Sequence, residues 1–139
     1  MSFIGKFHPL FVHFPIALVL AAAVAEFVVI AVPRTAWRTV AVANIRAGAA
    51  LGVVTAFTGW LYALTPFVDL GPSLEWHRWL GTAGAAGAIG AAFLSWHLRV
   101  ASRRPAFVYR VTLFATALLV AITGHLGGTL VWGAIFFHP

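Results

Sequence analysis

Residues 107–133 read FVYRVTLFATALLVAITGHLGGTLVWG, an apolar run with a single arginine and a single histidine. A helix of this length is about 40 Å long, which exceeds the hydrocarbon core of a bilayer at about 30 Å. Comparable runs occur at about 9–31, 40–64 and 76–98, and short polar or proline-containing breaks separate them. The sequence therefore predicts an all-α integral membrane four-helix bundle, with one transmembrane domain over residues 1–139.

The composition excludes a soluble globular protein. Apolar residue types make up 62% of the chain and charged types only 9%, which leaves too little polar surface to cover a soluble fold. Lipid is therefore the expected surrounding, and nucleic acid is not an expected partner. The chain has no cysteine, which excludes disulfides, zinc–thiolate sites, iron–sulfur clusters and covalently attached c-type haem.

The basic residues predict an orientation in the membrane. Most of them lie in or near the first and third loops, while only Lys6 and Arg78 lie toward the other side. By the positive-inside rule, both termini and the central loop of this multi-pass membrane protein are expected outside the cytoplasm. The residues expected on the cytoplasmic side are Arg34, Arg38, Arg46, Arg99, Arg103, Arg104 and Arg110.

The two halves of the chain show a weak internal similarity. An offset of 64 or 65 residues brings His13 onto His77, Arg46 onto Arg110, and residues 58–61 onto residues 123–126. This overlay suggests two helical hairpins that run in the same direction, with chance similarity between alanine- and glycine-rich helices as the alternative.

Histidines are the most chemically informative residues in this sequence. An imidazole within a bilayer has to be hydrogen-bonded, bound to a metal or otherwise functional. With the predicted orientation, three helices bring His8, His13, His77 and His125 to the outer side of the membrane. His138 also lies outside, near the C-terminus, whereas His97 belongs to the cytoplasmic end.

His13 and His125 are the pair best matched in depth, at about a third of the way into the membrane. His8 is expected to cap the helix that Pro9 begins, and Pro15 is expected to free a carbonyl and kink the helix near His13. Gly124 and Gly128 flank His125 in G-x-x-x-G spacing, which allows either tight helix packing or the approach of a flat macrocycle. Gly48 and Gly52, and the glycines between residues 81 and 90, indicate tight packing of the second and third helices.

Facing imidazoles between membrane helices are typical of non-covalently bound haem b. Under this hypothesis His13 and His125 are axial ligands, and His77 and His8 are alternate ligands, supporting groups or ligands of a second haem. Arg78 is expected to pair with a haem propionate. The alternatives are histidines that only form hydrogen bonds, with no cofactor, or a histidine-bound copper or zinc ion.

A second polar set lies toward the cytoplasmic end. Glu26 is an intramembrane carboxylate, and it is expected to pair with Arg46 or Arg110, with Asn44 joining the same network. A proton path or a contact with quinone is the functional alternative to a purely structural ion pair.

Two segments of the chain carry a family resemblance. Residues 7–18 read FHPLFVHFPIAL and residues 124–131 read GHLGGTLV. They resemble a family of small four-helix bacterial membrane proteins catalogued as a domain of unknown function, some of whose relatives are fused to c-type cytochrome modules. The resemblance covers essentially the whole chain, and its matching positions are His8, His13, His77 and His125. The cytochrome association implies a redox role by analogy alone.

Two functions from different classes follow as hypotheses. The first is a haem-b-binding electron-transfer subunit that works with other membrane or periplasmic redox proteins or with quinone. The second is a non-catalytic structural subunit of a larger respiratory or photosynthetic complex. A small transporter is a third, opposed by the apolar segment between the two polar layers. No paired nucleophile and base, phosphate loop or paired carboxylates are present, so the sequence does not indicate an enzyme.

Overall fold

The computed structural model describes residues 2–32, 35–66, 71–99 and 103–133. Within these ranges the chain is helical and contains no strand. Two short helices precede four long ones, and a 3₁₀ turn follows the third of these. The elements are α1 (Ser2–Gly5), α2 (His8–Phe11), α3 (His13–Ala31), α4 (Thr35–Tyr62), α5 (Pro72–Ser95), the 3₁₀ turn Trp96–Arg99, and α6 (Arg103–Trp132).

Three to four of these helices are suited to crossing a bilayer. The ranges Phe3–Ala31, Ala36–Tyr62 and Ala106–Trp132 are long and apolar enough by length and composition. Helix α5 has 24 residues, or about 36 Å, but contains glycines and two charged residues near its start. Helices α4, α5 and α6 begin four or five residues earlier than predicted. The residues just before each apolar run, which include arginines and prolines, are already helical.

The four long helices form a closed bundle. Helix α3 packs on α4, α4 on α5, α5 on α6, and α6 returns to α3. Alanines dominate the centre, so the helix axes approach closely. The buried cluster consists of Val19, Ala22, Ala23, Ile45, Ala49, Ala88, Ala91, Ala92, Tyr109, Leu113 and Ala117. Larger apolar side chains, such as Phe27, Phe93 and Leu118, lie on the outside, as expected for a surface that faces lipid.

Glycines on α5 account for its close packing on α6. A methyl group added at Gly81 or Gly84 would lie 3.4 or 3.3 Å from a side chain of α6. At Gly87 it would lie only 2.5 Å from Thr116 Oγ1. The glycines predicted to serve helix packing therefore do contact the neighbouring helix.

The break before α3 has a definite cause. Pro15 lacks the N–H that would bond to the carbonyl of Phe11. Helix α2 ends at Phe11, and the Thr55 hydroxyl on α4 donates a hydrogen bond of 3.2 Å to that carbonyl. Gly5 packs closely on the backbone of α4 at Leu61 and Tyr62, so the N-terminal segment lies against the end of α4.

Candidate functional site

His8 lies at the start of α2 and packs against α4. Its Nδ1 is 3.0 Å from the Thr55 carbonyl oxygen. The ring lies directly over Gly59, where an added Cβ would be 2.8 Å from His8 Cε1. The Tyr62 ring is nearly parallel to the His8 ring, with centroids 6.4 Å apart and 27° between the planes. The imidazole therefore packs against α4 instead of capping its own helix, which has no side-chain cap.

His77 has a similar setting between α5 and α6. It lies on the second turn of α5, and its Nδ1 is 3.1 Å from the Thr123 carbonyl oxygen on α6. An added Cβ at Gly127 would lie 3.0 Å from His77 Cε1. Each histidine thus combines a bond to a threonine carbonyl with packing on a glycine four residues further along.

The hydrogen bonds fix the tautomer of both rings. A carbonyl oxygen only accepts, so Nδ1 of His8 and of His77 carries the proton and donates it. In the neutral ring Nε2 then has a free lone pair. The two ring centroids are 6.3 Å apart, with 80° between the ring planes. Two imidazoles with the same tautomer, one from each half of the chain, therefore lie next to each other with their planes nearly perpendicular.

Arg78 lies beside this pair and is held by an aromatic cluster. Its guanidinium stacks 3.8 Å from the centroid of the Trp60 ring, and the Trp60 indole donates a 3.0 Å hydrogen bond to Thr82. Trp79 packs edge-on against Trp60. The Arg78 Nε is buried and has no hydrogen-bond partner among the residues that the structure describes. An oriented cation with an unused donor thus lies next to His77.

His13 and His125, the pair favoured by the sequence, lie elsewhere. Both side chains are exposed on the outside of the bundle. A Cβ at Gly124 would contact Ile16 at 3.4 Å, so α3 and α6 are adjacent where these histidines occur. Gly124 therefore serves a helix contact, and Gly128 is half-buried on the same helix. The structure brings together His8 and His77 inside the bundle, and it leaves His13 and His125 on its surface.

The opposite end of the bundle contains a buried ion cluster. Glu26 is fully buried, and its Oε1 accepts from Arg110 Nε at 2.8 Å and lies 2.9 Å from Arg38 Nη2. The predicted Glu26–Arg110 pair is present. Arg46 instead donates to the Ser95 hydroxyl at 2.9 Å, and the Asn44 amide donates to the Val40 carbonyl of its own helix.

The remaining polar atoms of this cluster are unusual. Within the described part of the chain, Glu26 Oε2, Arg38 Nε and the Tyr109 hydroxyl are buried and have no hydrogen-bond partner. The Arg38 guanidinium also lies 5.9 Å from the centroid of the Tyr109 ring. Neither Arg38 nor Tyr109 was singled out as part of the site from the sequence. His97 lies nearby on the surface against Phe93, while His138 is outside the described residues.

Sequence reasoning missed the residues that hold the two inner histidines. Thr55 and Gly59 have the same spacing as Thr123 and Gly127, and each pair follows one helical face. This T-x-x-x-G recurrence was a usable signal. No group of three or more His, Cys, Asp or Glu residues suited to a metal ion occurs in the described part of the chain.

A family model described as "Predicted membrane protein (DUF2231)" matches residues 6–135. No curated protein and no solved structure matches the chain.

Proposed function

The chain belongs to the DUF2231 family of predicted membrane proteins, and we propose that it is an electron-transfer subunit that holds haem b between His8 and His77. The arrangement of these two imidazoles carries the proposal. It replaces His13 and His125 as the ligand pair, because those side chains lie on the outside of the bundle.

The distance between the rings suits two ligands of one metal. Two imidazoles that held one metal through nitrogens at about 2.0 Å would have centroids at most about 6 Å apart. The observed separation is 6.3 Å. A hydrogen bond from Nδ1 to a carbonyl is the usual way to orient a ligating histidine and raise the basicity of Nε2. Thr55 and Thr123 provide such carbonyls.

The number of ligands favours haem over a bare ion. Zinc generally takes three or four protein ligands, and copper sites likewise combine several side chains. The described residues offer two histidines here and no group of three. A haem needs only two, because its macrocycle supplies the other four. A bound haem b supplies reversible one-electron oxidation and reduction of its iron.

Arg78 gives this site a means of holding the acidic side chains of a haem. Its guanidinium is oriented by Trp60 and carries a buried Nε with no partner. Carboxylates pair well with arginine in such a setting. In this role Arg78 binds and orients a propionate, while His8 and His77 hold the iron.

A spectrum of purified protein tests the proposal. We expect a sharp α-band after reduction with dithionite, and its loss in His8→Ala and in His77→Ala. The matched controls are His13→Ala and His125→Ala, which remove an imidazole from the surface and should keep the band. Folded protein without an α-band would reject haem altogether. A band that depends on His13 and His125 would move the site to the outside of the bundle.

The two ligands also belong to similar surroundings in the two halves of the chain, which supports parallel hairpin repeats. His8 and His77 are 69 positions apart, and so are Glu26 and Ser95. Glu26 accepts a hydrogen bond from Arg110 of α6, and Ser95 accepts one from Arg46 of α4. Thr55 and Gly59 are each 68 positions from Thr123 and Gly127. These offsets differ from the 64 or 65 inferred from the sequence. The proposed haem then lies between equivalent positions of the two repeats.

We also place the histidine end outside the cytoplasm, in the bacterial inner membrane, because the loop arginines lie at the other end. A periplasmic redox protein and the quinone pool are the partners that this orientation favours. The chain has no cysteine, so single introduced cysteines report on topology. Ser2→Cys should react with an impermeant maleimide in intact cells, and Ser102→Cys only after the cells are opened. The reverse result would invert the orientation.

A structural subunit without a cofactor remains the second candidate. The observation in its favour is that Nδ1 of each inner histidine already has a hydrogen bond and that each ring already packs on a glycine. In that case the protein should be colourless, and it should co-purify with a larger membrane complex after mild solubilisation.

A further inference from the structure

A groove on the outside of the bundle lies between α4 and α5 and shares no lining residue with the histidine site. It has a volume of about 370 Å³ and is almost entirely apolar. Arg46 is its one charged lining residue. The groove is lined by Arg46, Ala49, Ala50, Val53, Ile89, Ala92, Phe93 and Trp96.

The shape of the groove follows from the spacing of its residues. The lining positions run from Arg46 to Val53 on α4 and from Ile89 to Trp96 on α5 and the turn after it, which is eight residues, or about 10 Å, on each side. Ala49 and Ala92 are buried at its floor, while Val53, Ile89 and Phe93 are exposed along its rim. Small residues at the floor and large ones at the rim give a channel parallel to the helices, which is the form that a lipid acyl chain requires.

Arg46 is fixed at the end of the groove nearest the end of α5. Its Nε donates to Ser95, the last residue of that helix, and its guanidinium lies 4.7 Å from the centroid of the Trp96 ring. Tryptophan and arginine in such a position commonly mark the level of the lipid headgroups. The guanidinium therefore lies at the end of α5, and an arginine side chain in such a position extends its charge toward the headgroups.

The charge at Arg46 is not balanced by the acidic residues that the structure describes. The whole chain has three acidic residues. Glu26 forms its salt bridges with Arg38 and Arg110. Glu75 is in the first turn of α5, twenty residues before Ser95 and thus about 30 Å away. An apolar groove that ends at an uncompensated cation calls for a ligand with an acyl chain and an anionic head.

We propose that this groove is a binding site for an anionic phospholipid, with an acyl chain along Ala49 and Ala92 and the phosphate at Arg46. Basic pockets between membrane helices bind anionic headgroups in this way. The cation–π contact with Trp96 orients the guanidinium before the lipid arrives. This site shares no residue with the proposed haem site, and Arg46 precedes Thr55, the partner of His8, by nine residues of α4, or about 14 Å.

Native mass spectrometry of the detergent-purified protein tests the proposal, with phosphatidylglycerol and phosphatidylcholine of identical acyl chains as probes. We expect the wild type to retain phosphatidylglycerol about fivefold more strongly, the ratio typical for one basic residue. Arg46→Gln should abolish this preference, and Arg46→Lys should keep it. Ala50 is exposed in the groove, so Ala50→Phe should fill the groove and remove retention of both lipids without disturbing the core.

Arg78→Gln is the matched control, because Arg78 also stacks on a tryptophan but lies at the histidine end. It should leave the lipid preference unchanged, and thermal unfolding of each variant checks that the bundle is intact. Equal retention of the two lipids by the wild type would overturn the proposal. So would an unchanged preference in Arg46→Gln, an equal loss in Arg78→Gln, or a quinone or a second copy of the chain bound in the groove in place of lipid.

Discussion

Replacing Gly59 with alanine tests the packing of His8 on α4. The added Cβ would lie 2.8 Å from His8 Cε1 and 3.0 Å from Nδ1, whereas ordinary contacts begin at 3.4 Å. The ring therefore has to move by about 0.6 Å, which disturbs its 3.0 Å hydrogen bond to the Thr55 carbonyl. Overpacking of this kind costs about 1–3 kcal/mol.

The assay is unfolding in mixed detergent micelles, together with the reduced spectrum. Gly59→Ala should be less stable than wild type, and any α-band should weaken or shift because the imidazole is displaced. Gly127→Ala should have a smaller effect, since its nearest atom on His77 is 3.0 Å away. The control is Gly90→Ala, whose added Cβ lies 3.8 Å from Thr112, and alanine there should be neutral or stabilising by up to about 1 kcal/mol.

A second variant separates the clash from other effects of alanine. In a His8→Ala background the ring is absent, so Gly59→Ala should no longer destabilise the protein. If Gly59→Ala is as stable as Gly90→Ala, or if its cost persists without the His8 ring, the packing of His8 on Gly59 is refuted.

Three further predictions concern other parts of the bundle. Glu26→Gln should destabilise the protein by about 3–5 kcal/mol in the same unfolding assay, because it leaves two arginines without their carboxylate, and a loss below 1 kcal/mol would show that the cluster is solvated. Gly87→Ala should weaken the packing of α5 on α6, and adding Thr116→Ala should restore most of the stability, since the Thr116 hydroxyl is the atom in the way; no recovery in the double variant would contradict this contact. Trp60→Phe should lower stability by about 1 kcal/mol by removing one hydrogen bond while keeping a ring for the cation, whereas Trp60→Leu should cost more, and equal losses would argue against the cation–π contact.

The sequence predicted the four long helices well because each apolar run is long enough to cross a bilayer and is bounded by polar or proline-containing breaks. It predicted the ends less well, since Thr35 and Arg103 continue helices through polar residues whose conformation is not set by hydropathy. Helix α5 is the reverse case. Its glycines lower its hydropathy, yet they are the residues that let it pack on α6.

The choice among histidines could not be made from depth alone. His13 and His125 match in depth, but depth along a helix says nothing about which way a side chain points in a bundle of four. Helix α3 rotates His13 outward, and the segment before it folds onto α4 and brings His8 inward. The spacing of Thr55 and Gly59 indicates where His8 packs. The Thr55 carbonyl can accept a hydrogen bond from an imidazole, and Gly59, one turn further along, leaves room for the ring.

At the other end, depth and charge predicted either Arg46 or Arg110 as the partner of Glu26, and Arg110 is the one that pairs with it. The part played by Arg38 was not predicted. Arg38 lies at the start of α4, outside the apolar run, and its side chain reaches Glu26 from there. Reach of this kind depends on the angle between two helices, which a sequence pattern does not give.

The way Glu26 is shared between two arginines has a consequence for biogenesis. Arg38 follows Glu26 by twelve residues, so the first hairpin brings its own counter-ion as it leaves the translocon. Arg110 is supplied by the last helix, and only its arrival completes the cluster. Before α6 is inserted, Glu26 can therefore pair with Arg38 alone, and the first hairpin already has a neutralised carboxylate. Insertion of α6 then adds Arg110 and ties this helix to the hairpin.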